Sequence, residues 1–461
     1  MNIALLKRIS LFTAAALLLP VLSWATDLNE IYQRALRNDP VLREAEANRM
    51  AARETHPQAL GALLPQINAN GSYTHDEISQ PQTLFAGTTQ QLIPTLTKID
   101  TPRWSVQLRQ TLFRWDQLAT LRESDTQVAQ AEVDFRAAQQ SLILRTATAY
   151  FNVLAARDTL DAAQASQEAI SKQLEQSEKR FDVGLIAVTD VEEAKAAADQ
   201  ATATVIESKR ALATTRDRLR ELTGDFFDEL ARPGDDIPLI APDPENEDQW
   251  VKTALDQNLN LTSARLAADI ARNKISVAHS GHYPTIDIVA SRSGSNTSGN
   301  TLALDTAFSA NSSLNDKQIG IQMTIPLYSG GIASSRVQEA VYRHRAARER
   351  LEQTARETER ITRDSYLGVL AEISRTRALK QALASSTVAL QATEAGYEVG
   401  TRTAVDVLLS RQRLFDAQTS YARSRYDYVI NVLTLEQAAG MLNSSRLGRV
   451  NSWLGQTVSV K

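Results

Sequence analysis

The chain has 461 residues, a formal net charge of −4, 43% apolar and 6% aromatic residues, and no cysteine. That balance offers no basic face for nucleic acid, and without thiols there is no disulfide framework, thiolate metal site or lipid-attachment cysteine. The densest basic run, "RHRAARER" at 343 to 350, contains Glu349 and is followed by Glu352, the mark of a solvated helix face.

At the start, Lys7 and Arg8 precede an apolar run from Ile9 to Leu22, and Ser23-Trp24-Ala25 supplies a small-x-small cleavage pattern. This predicts a secretory signal peptide over 1–25; the run is shorter than the ~20 residues of a bilayer-spanning helix. A first repeat is expected over 26–240, opening with short helices. Its Gly- and Pro-rich block at 61 to 104 changes the period to two. In "PQINANGSYTHD", Ile67, Ala69, Gly71 and Tyr73 alternate with Asn68, Asn70, Ser72 and Thr74, and Trp104, Val106 and Leu108 share one face of "PRWSVQLRQ". Strands are predicted over 66–77 and 102–113, joined by a polar loop at 78 to 100.

Glycine and proline then vanish from Arg114 to Arg180 and again from Leu185 to Thr223, in tracts rich in Ala, Gln, Glu, Arg and Leu. Leu142, Thr146, Ala149, Tyr150, Val153 and Leu154 recur at helical steps. Helices are predicted over 114–181 and 187–224, the first a rod of roughly 100 Å that buries its stripe against parallel neighbours. A Pro- and acid-rich connector, "RPGDDIPLIAPDPENED", follows.

The second repeat, 241–445, predicts short helices, strands over 283–293 and 317–328 around a polar loop at 293 to 316, and helices over 332–397 and 403–441. A tail covers 446–461. Tyr150 aligns with Tyr366, Leu154 with Leu370, Gly184 with Gly400, Asp190 with Asp406 and Gly224 with Gly440, all at one offset of about 216 residues. The phrase "EKRFDVGLIAVTDVEE" thus returns as "EAGYEVGTRTAVDVLL", each time between two long helices.

Four strands of ~10 residues with one apolar and one polar face fit transmembrane β-strands. Four strands cannot close a barrel, and lipid tolerates no open edge, so several chains must share one barrel. No phosphate loop, dinucleotide fingerprint, nucleophile elbow or His-Glu-x-x-His is present, so no catalytic residues, cofactor or metal are expected. His279-x-x-His282 lacks an acidic partner and is expected in a turn.

The signal peptide, the duplicated helix-strands-helix plan, "PLYSGG" (326 to 331) with its counterpart "TLFRWD" (111 to 116), and the two Val-Gly phrases resemble the TolC-type outer-membrane efflux proteins. The resemblance spans about 26 to 445. It implies an all-α plus transmembrane β chain: a homotrimer whose four strands per chain make a twelve-stranded outer-membrane barrel, continued by a periplasmic α-helical barrel. Implied partners are a periplasmic adaptor and an inner-membrane transporter, either a proton-driven pump (RND type) or an ATP-driven secretion system (ABC type), which supplies the energy. By the same resemblance, Val183, Gly184 and Leu185, with Val399, Gly400 and Thr401, are the tunnel tip that meets the adaptor. Thr189 and Asp190 would latch the neighbouring coil through Tyr397 and Arg402, with Gln173 and Glu394 a further link. Asp406 would ring the closed pore. The second acidic position of the family, one turn on, is Leu409 here, so a mixed acidic and apolar constriction is expected. Thr403 and Asp406 also form a capping-box pattern, and on the residues alone the two roles weigh equally. A periplasmic coiled-coil adaptor or a surface coiled coil would lack the paired strand blocks; an enzyme is the weakest reading.

Overall fold

Long Gly- and Pro-free tracts commit this chain to helices that only tertiary neighbours can stabilise, and the glycines decide where those helices stop. The computed structural model describes residues 26–86, 89–234, 237–303 and 306–460; the signal peptide expected over 1–25 lies outside them. Helices α1 (Leu28–Asn38), α2 (Pro40–Arg53) and α3 (Thr55–Leu63) lead into strands β1 (Gln66–Ala86) and β2 (Thr89–Phe113). Then come α4 (Trp115–Asp182), α5 (Val188–Thr223) and a short β3 (Glu229–Pro233). The second half repeats the plan with α6 (Glu247–Gln257), α7 (Leu259–His279), β4 (Thr285–Ala303), β5 (Thr306–Thr324), α8 (Ile332–Glu398) and α9 (Ala404–Ala438). Helix α10 (Ser444–Asn451) and β6 (Leu454–Ser459) close the chain. No described helix is long and apolar enough to cross a membrane.

The strands differ from the sequence expectation. The polar stretches read as loops at 78 to 100 and 293 to 316 are the outer halves of two long hairpins, with β1 paired to β2 from Gln66↔Arg109 to Ala86↔Thr89 and β4 to β5 from Thr285↔Thr324 to Ala303↔Thr306. Side-chain polarity alternates too weakly there to mark a strand, while the antiparallel ladder within each hairpin still pairs the two strands along their facing sides. β5 also ends at Thr324, short of 328, because Pro326 has no N–H to continue the ladder. β2 joins β4, giving a four-stranded antiparallel sheet in the order β1-β2-β4-β5 with two unpaired edges.

One face of this sheet is apolar. Ile67, Leu108, Ala290 and Ile319 share a rung, followed by Ile288 with Ile321 and Ile286 with Met323. The opposite face carries Asn68, Gln107, Ser291 and Gln318. On the apolar face Trp104 lies between Gly71 and Gly294, and a Cβ on Gly294 would meet the indole at 2.5 Å, so glycine is what lets the ring lie down on the sheet. Aromatic Phe113, Trp115 and Tyr283 mark the helix-side limit, with Trp115 and Tyr283 edge-to-face at 6.1 Å.

At ~1.5 Å per residue, α4 and α8, of 68 and 67 residues, are each roughly 100 Å long. α4 pairs with α5 and α8 with α9, as two helical hairpins. The core lies midway along them, where α1, α10 and the β3–β6 pair wrap the rods and bury Leu28, Ile31, Leu142, Tyr150, Phe151, Tyr426, Leu433 and Leu447. Tyrosine hydroxyls tie the rods to β3 and the connector, Tyr150 donating to the Ala231 carbonyl and Tyr428 to Ile240 O at 3.0 Å, and Tyr426 ties α9 to α4 by donating to Asp158 at 2.7 Å. The connector and tail are therefore structural, because β3 and β6 complete each other's ladder.

Glu436 is a strained member of this belt. It is buried, its Oε2 has no partner, and Arg446 and Arg449 reach it only at 3.2 and 3.8 Å. Burial raises its carboxyl pKa and the two arginines only partly oppose this. With the folded value raised, the stability this group contributes is complete below its unfolded value and is lost as pH rises through the folded one. Glu436→Gln is thus expected to stabilise the helical domain at neutral pH by about 1 kcal/mol, a gain that fades toward pH ~4. Urea titrations followed by circular dichroism across that range check it, and a pH-independent difference would refute the burial account.

Candidate functional site

The two repeated phrases end their first helix in the same way. α4 ends with Gly184 at φ 77° and α8 with Gly400 at φ 81°. In each, the residue after the glycine donates back five positions, Leu185 N to Arg180 O at 2.9 Å and Thr401 N to Gly396 O at 2.8 Å. The glycines donate to Phe181 O and Tyr397 O at 2.8 and 3.1 Å. These are paired Schellman motifs, which need a left-handed residue after the helix and so explain both glycines. Such a motif commonly packs its trailing residue on the helix. Here Leu185 is 72% exposed, Val183 68% and Val399 75%, leaving an apolar tip that no other described residue covers.

The helices after the tips start differently. α9 carries a full capping box: Thr403 N–H and Oγ1 both donate to Asp406 Oδ2 at 2.9 Å, and Asp406 N–H donates to Thr403 Oγ1 at 3.2 Å. These bonds hold the Asp406 carboxyl below the usual range, with a smaller contribution from Arg402. It therefore stays ionised at the start of a helix that favours negative charge. α5 has no side-chain cap, and Asp190 bonds there only through its backbone N–H to Ala187 O. The matching aspartates thus have different local duties: Asp406 caps its own helix, whereas the Asp190 carboxylate takes no bond from any described residue. Leu409 is 52% exposed beside Val405, Leu408 and Phe415, and with Ala163 and Ile170 of α4 and Ala196, Ala197 and Ala201 of α5 it lines an apolar groove of 320 Å³.

The residues expected to latch do not bond to one another within the chain. Among the described residues, Thr189 and Asp190 make no side-chain bond to Tyr397 or Arg402, and Gln173 makes none to Glu394. Instead Glu394 is held by Arg411 at 2.5 Å, and Arg180 lies over the Tyr397 ring at 4.8 Å. Gln173 is buried with its Nε2 unpartnered, as are Ser177 Oγ, Tyr397 Oη and Arg411 Nε. Buried polar atoms are rarely left unpaired, so this group of four near the tip stands out. Ser177, Arg180 and Arg411 were not distinguished in the sequence, because a serine, and arginines in helices already rich in charge, carry no motif. His279 ends α7 and His282 lies in the following turn, and no described group of three or more His, Asp or Glu could hold a metal.

The pattern of the Outer membrane efflux protein family matches residues 31–225 and 250–441. Outer membrane protein TolC of Escherichia coli (strain K12) is 37% identical over 95% of this chain and 87% of its own. The alkaline protease secretion protein AprF of Pseudomonas aeruginosa is 26% identical over 95% of this chain and 89% of its own. Among solved structures, the Campylobacter jejuni CmeC outer membrane channel superposes with a TM-score of 0.72 at 18% identity, covering 93% of this chain and 90% of that one.

Proposed function

Since the chain belongs to the outer membrane efflux protein family and resides in the outer membrane, we propose that three copies form one exit duct, which passes small molecules or secreted proteins outward from an inner-membrane transporter. The observation that carries this is the open four-stranded sheet at one end of two helical hairpins roughly 100 Å long. Both sheet edges need a partner in lipid, and three sheets placed edge to edge make twelve strands with none left over. The hairpins then line a tunnel through the periplasm, and the chain acts as a conduit without chemistry of its own. Its partners are a periplasmic adaptor and a proton-driven (RND-type) or ATP-driven (ABC-type) transporter. The exposed Val183, Leu185 and Val399 are the surface for the adaptor, because an uncovered apolar tip on a helical turn marks an interaction site.

Asp406 and Leu409 constrict the tunnel near a threefold axis, and Thr189, Asp190, Tyr397, Arg402, Gln173 and Glu394 hold the coils closed between protomers. The four unpartnered atoms around Gln173 and Tyr397 support this, since bonds from a neighbouring chain would satisfy them. One carboxylate ring above an apolar ring attracts divalent cations less than two carboxylate rings would. Leu409→Asp is therefore expected to increase divalent-cation block of single channels severalfold, and equal block in both proteins would remove the constriction from this position. For the duct itself, outer-membrane fractionation should yield a heat-modifiable trimer that conducts in planar bilayers. A soluble or monomeric product would refute it.

A further inference from the structure

Two basic residues lie on the apolar face of the sheet where lipid is expected. Arg292 of β4 and Lys317 of β5 are register partners, on the rung that also holds Ala69 and Val106. The next rung outward carries Trp104, and the Arg292 guanidinium sits 6.0 Å from that ring's centroid, so its chain rises toward the hairpin end. Both residues are exposed and neither has an ion-pair partner among the described residues.

Their depth follows from the strand geometry. From the helix-side aromatic Tyr283 to Gly294, the Trp104 rung, is about eleven residues, which at ~3.3 Å each and ~40° tilt covers about 28 Å of membrane thickness. The Trp104 rung and Tyr73 beyond it are then the outer aromatic girdle, and the basic pair lies about 5 Å beneath it. Like charges placed opposite each other on neighbouring strands repel, and a cation on a lipid-facing surface is costly unless it snorkels to an anion. A phosphate meets both needs, because a guanidinium grips it through two N–H donors while an ammonium adds a point charge.

We propose that Arg292 and Lys317, floored by Trp104, bind a phosphate group of a phosphorylated glycolipid in the outer leaflet of the outer membrane, one site per protomer. The hairpins point away from the periplasmic helices, which puts the pair in the outer leaflet. β5 is an edge strand, so each lipid would sit beside a junction between protomers. The inference rests on the sheet forming the proposed barrel.

Native mass spectrometry of the detergent-purified trimer tests it, using a bis-phosphorylated lipid A, its dephosphorylated form and inorganic phosphate as probes. The wild type is expected to bind the phosphorylated glycolipid about tenfold more tightly than the dephosphorylated one. Arg292→Gln/Lys317→Gln should lose that preference, Arg292→Lys/Lys317→Arg should keep most of it, and Arg103→Gln on the opposite face should leave it intact. Inorganic phosphate, lacking acyl chains, should compete poorly. Equal binding of both glycolipids by the wild type would overturn the site, as would an unchanged preference in the double glutamine variant. Competition by inorganic phosphate as strong as by the glycolipid would replace it with an unspecific anion site. Failure of the barrel reading would appear separately, as absence of a heat-modifiable trimer in the wild-type outer-membrane fraction.

Discussion

Gly440→Ala is expected to cost this protein about 3 kcal/mol or more and to remove most of its heat-resistant trimer. Gly440 ends α9 at φ 74° in a third Schellman motif, with Met441 N donating to Glu436 O at 2.8 Å. A Cβ there would stand 2.3 Å from the carbonyl oxygen of Gln257 and 2.6 Å from its carbon. Those are backbone atoms at the α6–α7 junction and cannot swing aside. The junction is tied to the same turn, since Asn258 Nδ2 donates to Ala438 O at 2.9 Å and Gln140 Nε2 to Gly440 O at 3.1 Å. Moving the backbone would therefore break α4, α7 and α9 from one another. Gly184→Ala is the control: it has the same left-handed backbone, but a Cβ meets nothing within 4 Å. It should cost only the conformational strain of about 1 kcal/mol. Equal thermal midpoints for the two variants would show that the close approach to Gln257 does not matter.

Arg145→Ala is the second large effect, at about 3 kcal/mol of helical-domain stability. Asp39 is 1% exposed, yet it carries a carboxylate that accepts two bonds from Arg145, at 3.1 and 2.7 Å, and one from Leu42 N–H at 2.9 Å as the cap of α2. Removing the guanidinium strands a buried negative charge between α2 and α4. A third of Arg145 remains in water, which moderates the loss. Asp39→Asn in the Arg145→Ala background keeps the cap and removes the charge, so it should recover about half of the deficit. Thermal melting by circular dichroism reads both, and a single-variant loss under about 1 kcal/mol would mean that Asp39 finds other solvation.

The helical plan was legible because glycine and proline are punctuation with physical force. Gly184, Gly224, Gly400 and Gly440 all take positive φ at the end of a long helix. The duplication extends to the short helices, where Asp39 and Asn258 cap α2 and α7 through Leu42 N and Leu261 N in the same way. The strands were half legible. Alternation marks a sheet only where its two faces differ in polarity, so the outer ribbons at 78 to 100 and 293 to 316 read as loops. At the tips, the sequence supplied the turn and the capping box. It could not supply Glu394's bond to Arg411 or the unpartnered Ser177, because those follow from the superhelical phase between two rods, which residue spacing along one rod does not encode.

The two unpaired sheet edges bear on inheritance as well as on architecture. A chain that must complete its ladder with two sisters makes every duct a vote of three. If half the chains in a cell carried a helix defect that still allowed strand pairing, only about one duct in eight would be wholly sound. A chain with such a defect should therefore poison the function of a normal copy expressed beside it. A chain whose sheet cannot form should instead be silent, because it never enters the ring.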